Sequence, residues 1–426
     1  MVKMKSNGKE ETSKDFFPIL PCDPTWSTQV EKFHDLLASV AECNFTLAGF
    51  VRSSQIPKCD KVGLKAIIGP PRGEYPDVWA DVAAKDWLGK SGKSDSIFGY
   101  YIADEPSAIR FPELAKVVAT VRKYAPGKQA YFCLFPGYAT IGAPNKSQLG
   151  TASFTEYLEQ FIAKVKPDIL NYDNYMIVSS DNLQSRDNGA LYFRDLMEFR
   201  RVAQKHGLPF WNTVCSSQIR PYTTIPSLSN LLLQAYTTLA AGGRGISWYT
   251  YFQDPYVWDD EEPIDKDGRG NAVLHTSYAY APINKDGRRT DTWYYLREVN
   301  RQVKLLGPMM NRLNSTGVYF TDPAPADGLP KLPGKAIAQV KSRASIKGFS
   351  DATPPIMIGE FESEDGANYV MLVNLSLEKS TNIILHTSKE YAKKEVVSAA
   401  DGTHSPLDET NGYWLLPGAG VLIAMK

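Results

Sequence analysis

The chain has 426 residues, of which 43% are hydrophobic and 22% charged, with 47 basic and 47 acidic side chains. That length exceeds the usual size of a single core, so two domains are expected. A formal charge of zero argues against a nucleic-acid binder, which carries a basic excess, and no apolar run reaches the roughly 18 residues needed to span a bilayer.

Residues 1–14 are polar and lysine-rich and read as a disordered or processed tail. Five cysteines (Cys22, Cys43, Cys59, Cys133 and Cys215) lie far apart with no CxxC pair, so most are expected as small buried apolar residues. One disulfide among Cys22, Cys43 and Cys59 is the alternative in an exported protein.

From there strand-like and helix-like segments alternate for about 300 residues. A short apolar run at 16–20 precedes residues 28–43, where Val30, Phe33, Leu36, Leu37 and Val40 recur at helical spacing. Strands are predicted at 46–51, 64–68 and 97–103, with helices at 76–89 and 112–124. The stretch at 52–63 is too short to assign a helix. The series continues with strand 129–134, helix 152–165, strand 169–172, helix 191–206, strand 208–214, helix 226–241, strand 245–251 and helix 290–306. Gly307-Pro308 reads as the stop of the last helix. Eight strands in regular alternation predict a parallel sheet closed into a (β/α)8 barrel over residues 15–313. An open doubly wound sheet is the alternative, and no glycine-rich phosphate loop follows the first strand to favour it.

Beyond residue 314 the texture changes to short alternating segments at 356–362, 368–374, 380–387, 395–399, 413–416 and 421–425. Turn pairs such as Asp365-Gly366 and Asn411-Gly412 separate them. This pattern predicts a small antiparallel β-sandwich over 314–426.

In such a barrel the chemistry sits at the C-terminal ends of the strands. The fourth strand ends in Ala103-Asp104-Glu105-Pro106, two adjacent carboxylates closed by a proline. Here the sequence resembles the barrel glycoside hydrolases whose fourth strand ends in Asn-Glu-Pro. It matches at Glu105 and Pro106 and departs at Asp104. The resemblance implies that Glu105 is the acid/base of glycosidic bond cleavage, with Asp104 beside it in the substrate site. It also implies a nucleophilic Glu at the end of strand seven, but the residues there, Trp211-Asn212-Thr213-Val214-Cys215-Ser216-Ser217, contain no acid.

The second carboxylate that glycoside hydrolysis needs is therefore sought on strand six. There Asp173 stands among Asn171, Tyr172 and Tyr175, side chains that hydrogen-bond sugar hydroxyls. The acidic run Asp259–Glu262 and Asp254, after strand eight, are further candidates; the run reads as a solvated loop or, less favourably, a calcium site. Aromatic and amide side chains expected to line the mouth are Phe135, Tyr138, Trp211, Asn212, Trp248, Tyr249 and Tyr251, with Arg52 at the end of strand two. Only alternate residues of a strand face inward, so about half of the rings on strand eight are packing.

The five histidines form no HxH or HExxH pattern, and no GxSxG elbow occurs, so neither a metal site nor an α/β-hydrolase is implied. No cofactor is expected. The reading is a secreted glycosidase acting on a poly- or oligosaccharide. The rival is a non-catalytic, degenerate barrel that binds carbohydrate without cleaving it.

Overall fold

The computed structural model describes residues 14–22, 36–69, 88, 94–179, 189–220, 223–253, 277–344 and 353–426. Eight parallel strands form two four-stranded halves. One half contains β1 (Ile19–Pro21), β6 (Leu170–Asp173), β7 (Phe210–Cys215) and β9 (Ile246–Tyr249), and the other β2 (Leu47–Val51), β3 (Lys65–Ile68), β4 (Ile97–Asp104) and β5 (Gln129–Cys133). Both seams are bonded: Leu134 N donates to Asn171 O at 2.9 Å, and Thr46 N to Ile19 O at 3.1 Å. The sheet is therefore a closed barrel rather than an open doubly wound sheet.

Helices follow the strands: α1 (Leu36–Glu42), α2 (Ile56–Val62), α3 (Phe111–Tyr124), α4 (Phe154–Val165), α5 (Gly189–His206), α6 (Leu228–Ala240) and α7 (Asp291–Met310). The stretch at 52–63 does carry a short helix, α2, started by Pro57 in its first turn and ended by Gly63 at φ +72°. α7 runs through the expected stop at Gly307-Pro308 to Met310. Gly307 lies flat against Phe17, where a Cβ would come 2.3 Å from the ring. Apart from helical Leu88, the helix expected at 76–89 lies outside the described residues, as does the start of that at 28–43. A short antiparallel pair, β8 (Gln218–Arg220) with β10 (Ser277–Ala279), is added to the α/β alternation.

The barrel interior is layered. Its floor is apolar, with Leu20, Leu47, Phe50, Ile67, Tyr131, Ile169 and Trp211 in one cluster. Above it the Tyr131 hydroxyl accepts from Asn171 Nδ2 at 2.9 Å, Thr213 Oγ1 donates to Asn171 Oδ1 at 3.0 Å, and Ser247 lies 3.3 Å from Tyr131 Oη. This belt satisfies its own polar groups, as buried ones must.

The C-terminal part consists of a six-stranded antiparallel sheet facing a three-stranded one. The larger holds β11 (Leu313–Phe320), β13 (Ile356–Ser363), β14 (Asn368–Asn374), β16 (Lys394–Val397), β17 (His404–Pro406) and β19 (Gly420–Met425); the smaller holds β12 (Ile337–Ala344), β15 (Thr381–Thr387) and β18 (Tyr413–Leu415). The central strands of the larger sheet, β13, β14 and β19, are buried on both faces. Ile356 and Ile358 belong to the sandwich core, whereas Met357 and Phe361 join the core of the barrel. Contact with α6 is backbone-close: a Cβ on Gly359 would stand 2.2 Å from Ala240 O. The sequence pattern missed β11 and β12, which flank the proline- and glycine-rich stretch at 322–334.

Candidate active site

At the C-terminal end of β4 the strand slips register with β5 between Tyr101 and Ala103, so that Asp104 pairs with Cys133. The bulge returns Asp104 to the inward side shared by Tyr101 and Tyr131. The next residue, Glu105, leaves strand geometry altogether with φ +41°. A side chain there costs of order 1–3 kcal/mol, and such outliers gather at functional sites. The turn is fixed from both sides: Glu105 N donates to Cys133 O at 2.7 Å, and the Tyr157 hydroxyl of α4 donates to Pro106 O at 2.9 Å.

At the end of β6, Asn171 and Asp173 face inward while Tyr172 faces the helices. Asp173 is only 8% exposed, and its Oδ1 has no hydrogen-bond partner. The Tyr175 hydroxyl favours the ionised form of the Asp173 carboxyl. Tyr175 itself stacks on Tyr249 from the end of β9, with ring centroids 5.4 Å apart and planes 19° apart. Tyr138, from the loop after β5, is 37% exposed and feels the charges of Asp173, Asp195 and Glu105. Behind it Asp195 of α5 is buried; its Oδ2 accepts from Gly137 N at 2.8 Å and Asn174 Nδ2 at 2.7 Å.

The carboxyl groups from β4 and β6 act on one another. Burial, then the charge of Asp104, pushes Glu105 up to about 7. Burial raises Asp173 well above the ordinary carboxylate range, reinforced by Glu105 and then Asp104 and opposed by the Tyr175 hydroxyl. Desolvation also raises Asp104, although much of its surface stays open. Strand alternation would have set Asp104 and Glu105 on opposite faces and weakened their coupling. Because Glu105 is not in strand conformation, both stand at the mouth and repel. Such a group of acids retains protons near neutral pH and titrates as a unit.

The structure thus brings Glu105, Asp104, Asp173 and Tyr175 together. Arg52 lies one residue beyond β2, at the same rim, where its backbone N–H donates to Gln55 Oε1 at 2.8 Å. Apart from Tyr138 and Tyr249, the other expected mouth residues are turned elsewhere. Asn171 is spent in the polar belt beneath Asp173. Tyr172 stacks on Phe199 of α5 at 3.8 Å. Trp211 is in the barrel floor, ringed by Phe98 and Tyr131. Asn212 points outward and donates to Thr238 Oγ1 at 2.9 Å. Trp248 also points outward, its indole N–H donating to Asn300 Oδ1 at 2.9 Å, and the Tyr251 hydroxyl accepts from Trp293 Nε1 at 2.9 Å. Phe135 is buried against Tyr157.

For β9 the alternation itself was legible and its phase was not: Ser247 and Tyr249 face inward, Trp248 outward. Tyr249 and Tyr138 were among the rings expected near the mouth, whereas Asp195 was missed. Asp195 did leave a signal, because it sits on the apolar stripe of α5 formed by Tyr192, Leu196, Phe199 and Val202.

β7 ends in buried Cys215, with Cys215 Sγ against Ser217 O at 3.0 Å, so no acid stands at the seventh strand. Asp254 and Asp259–Glu262 lie outside the described residues. None of the five cysteines is in a disulfide, which rules out the bridge expected among Cys22, Cys43 and Cys59 in an exported protein. Among the described residues no group of three His, Cys, Asp or Glu side chains is placed to hold a metal ion, and no helix is long and apolar enough to cross a membrane.

No protein-family model matches the chain, and no curated protein sequence does either. Solved structures do match. A catalytic mutant of a GH42 β-galactosidase from G. stearothermophilus superposes with a TM-score of 0.60 at 8% identity, over 96% of this chain and 98% of that one. AmyP, a variant in complex with maltotriose, gives 0.50 at 10% identity over 100% and 99%. A β-galactosidase from the psychrophilic Marinomonas ef1 gives 0.48 at 10% identity over 70% of this chain, which spans 62% of its length. At these identities the likeness is one of fold: the chain has the (β/α)8 architecture of glycoside hydrolases, followed by an antiparallel sheet domain.

Proposed function

We propose that the protein is a glycoside hydrolase acting on a poly- or oligosaccharide, with Glu105 as its proton donor and Asp173 as the second carboxylate. One observation carries this reading: Glu105, held by burial and by Asp104 at a pKa of about 7, shares the barrel mouth with the buried, half-partnered Asp173. Cleavage of a glycosidic bond needs one carboxyl protonated near neutral pH and another ionised. Glu105, the more open of the two, gives its proton to the leaving oxygen. Positive charge developing on the sugar ring favours the carboxylate form of Asp173, which the Tyr175 hydroxyl also stabilises. In that form Asp173 either activates water or stabilises the ring. Tyr175 and Tyr249 supply an aromatic wall of the kind that packs on apolar sugar faces.

The absence of an acid at the end of β7 favours a second reading, a barrel that binds glycans without cleaving them. Reducing-end release from a glycan panel separates the two, using the wild type and Glu105→Gln. Hydrolysis lost in the variant with its thermal midpoint kept supports Glu105 as the acid. Cleavage that survives the substitution overturns it, and binding without cleavage by the wild type supports the second reading.

A further inference from the structure

The carboxyl of Asp195 lies behind the site and touches neither Glu105 nor Asp173, yet it joins the two loops that complete the mouth. A single oxygen, Oδ2, accepts from the backbone N–H of Gly137, in the loop after β5, and from the side chain of Asn174, in the loop after β6. Asn174 in turn accepts from Met176 N at 2.9 Å through its Oδ1, so the turn after Asp173 is held at both ends of one amide. Gly137 is next to Tyr138, and Asn174 stands between Asp173 and Tyr175. The fit is close: a Cβ on Gly137 would fall 2.2 Å from Asp195 Oδ1 and 3.0 Å from the Phe154 ring. Asp195 is 4% exposed on an otherwise apolar helix stripe, a place where an acid is costly without a use.

We propose that Asp195 is a positioning residue that clamps the loops after β5 and β6, holding Tyr138 and the Asp173–Tyr175 pair in place over Glu105. The inference rests on the glycosidase reading for its consequence on rate, but its structural content does not. Two donors meet on one oxygen, so the clamp needs an acceptor rather than a negative charge. An asparagine whose Oδ1 takes the place of Oδ2 keeps both bonds, and an alanine keeps neither.

Two readouts test the clamp. The first is titration of the Asp173 and Glu105 carboxyls by carbon-13 NMR, assigned with Glu105→Gln; it needs no activity. Asp195→Ala is expected to move the titration of Asp173 upward, because the Tyr175 hydroxyl is no longer held, whereas Asp195→Asn restores the wild-type curve. The second is turnover on whichever glycan the wild type cleaves. Asp195→Ala is expected to lower kcat on the order of a hundredfold with a smaller change in KM, the pattern of a misplaced catalytic group, and Asp195→Asn to recover most of it. Should the alanine variant fail to fold, Gly137→Ala displaces the same carboxyl from the loop side and is expected to reproduce both effects. An unchanged Asp173 titration in Asp195→Ala, or in Gly137→Ala if the former does not fold, overturns the clamp. So does an Asp195→Asn variant as impaired as Asp195→Ala. If no glycan is cleaved, the glycosidase reading fails while the titration still decides the clamp.

Discussion

Tyr175, just beyond strand β6, and Tyr249, at the end of β9, stack at the mouth with their ring planes 19° apart, although the neighbouring Trp248 carries the larger ring. The difference is one of strand phase. Tyr249 follows Ser247 on the inward face, and Trp248 is fixed in the helical layer by its bond to Asn300.

Tyr249→Ala is therefore expected to weaken glycan binding about fivefold to tenfold, the scale of one aromatic contact. Trp248→Phe should leave affinity alone and lower stability by about 1–3 kcal/mol through the unpaired Asn300 oxygen. Calorimetric titration and urea unfolding of the two variants check this; an affinity loss confined to Trp248→Phe would reverse the assignment.

Glu105 and Asp195 both carry pKa values raised to about 7, chiefly by burial. Between about pH 4 and pH 7 the folded protein thus holds protons that the unfolded chain has released, so these groups make stability fall as pH rises through that window. Turnover that requires protonated Glu105 should decline above about pH 7. Thermal midpoints measured from pH 4 to 8 are expected to fall less steeply in Glu105→Gln and in Asp195→Asn than in the wild type.

Glu105→Gly should abolish hydrolysis and yet stabilise the fold. It relieves a left-handed backbone worth about 1–2 kcal/mol, offset by the roughly 0.5–1 kcal/mol that glycine's freedom costs. A urea midpoint shifted upward at unchanged slope is the expected result. A downward shift would mean that the Glu105 side chain holds its own turn.

Gly359→Ala tests how the sheet domain is seated. Its new methyl would meet the Ala240 carbonyl of α6, a rigid neighbour, at a cost of about 1–3 kcal/mol. The thermal midpoint should drop while kcat and KM stay at wild-type values, since the contact is remote from the mouth.

The sequence by itself determined the alternation of strands and helices, the change of texture near residue 314, and the Glu105-Pro106 end of β4, because hydrophobic period and turn chemistry are local properties. It did not determine which of two adjacent strand residues faces inward. Trp211, Asn212, Trp248 and Tyr251 were expected at the mouth, but phase depends on the bulges and seams through which strands meet distant partners, such as the slip at Tyr101–Ala103. The left-handed turn at Glu105, the meeting of Asp173 with Glu105 across two strands, and the Asp195 clamp between two loops likewise appear only when the barrel closes. The Asp173 carboxyl, 68 positions downstream of Glu105, becomes its neighbour there. Burial and mutual charge, which set their proton affinities, are properties of that closed shape and of no local stretch of chain.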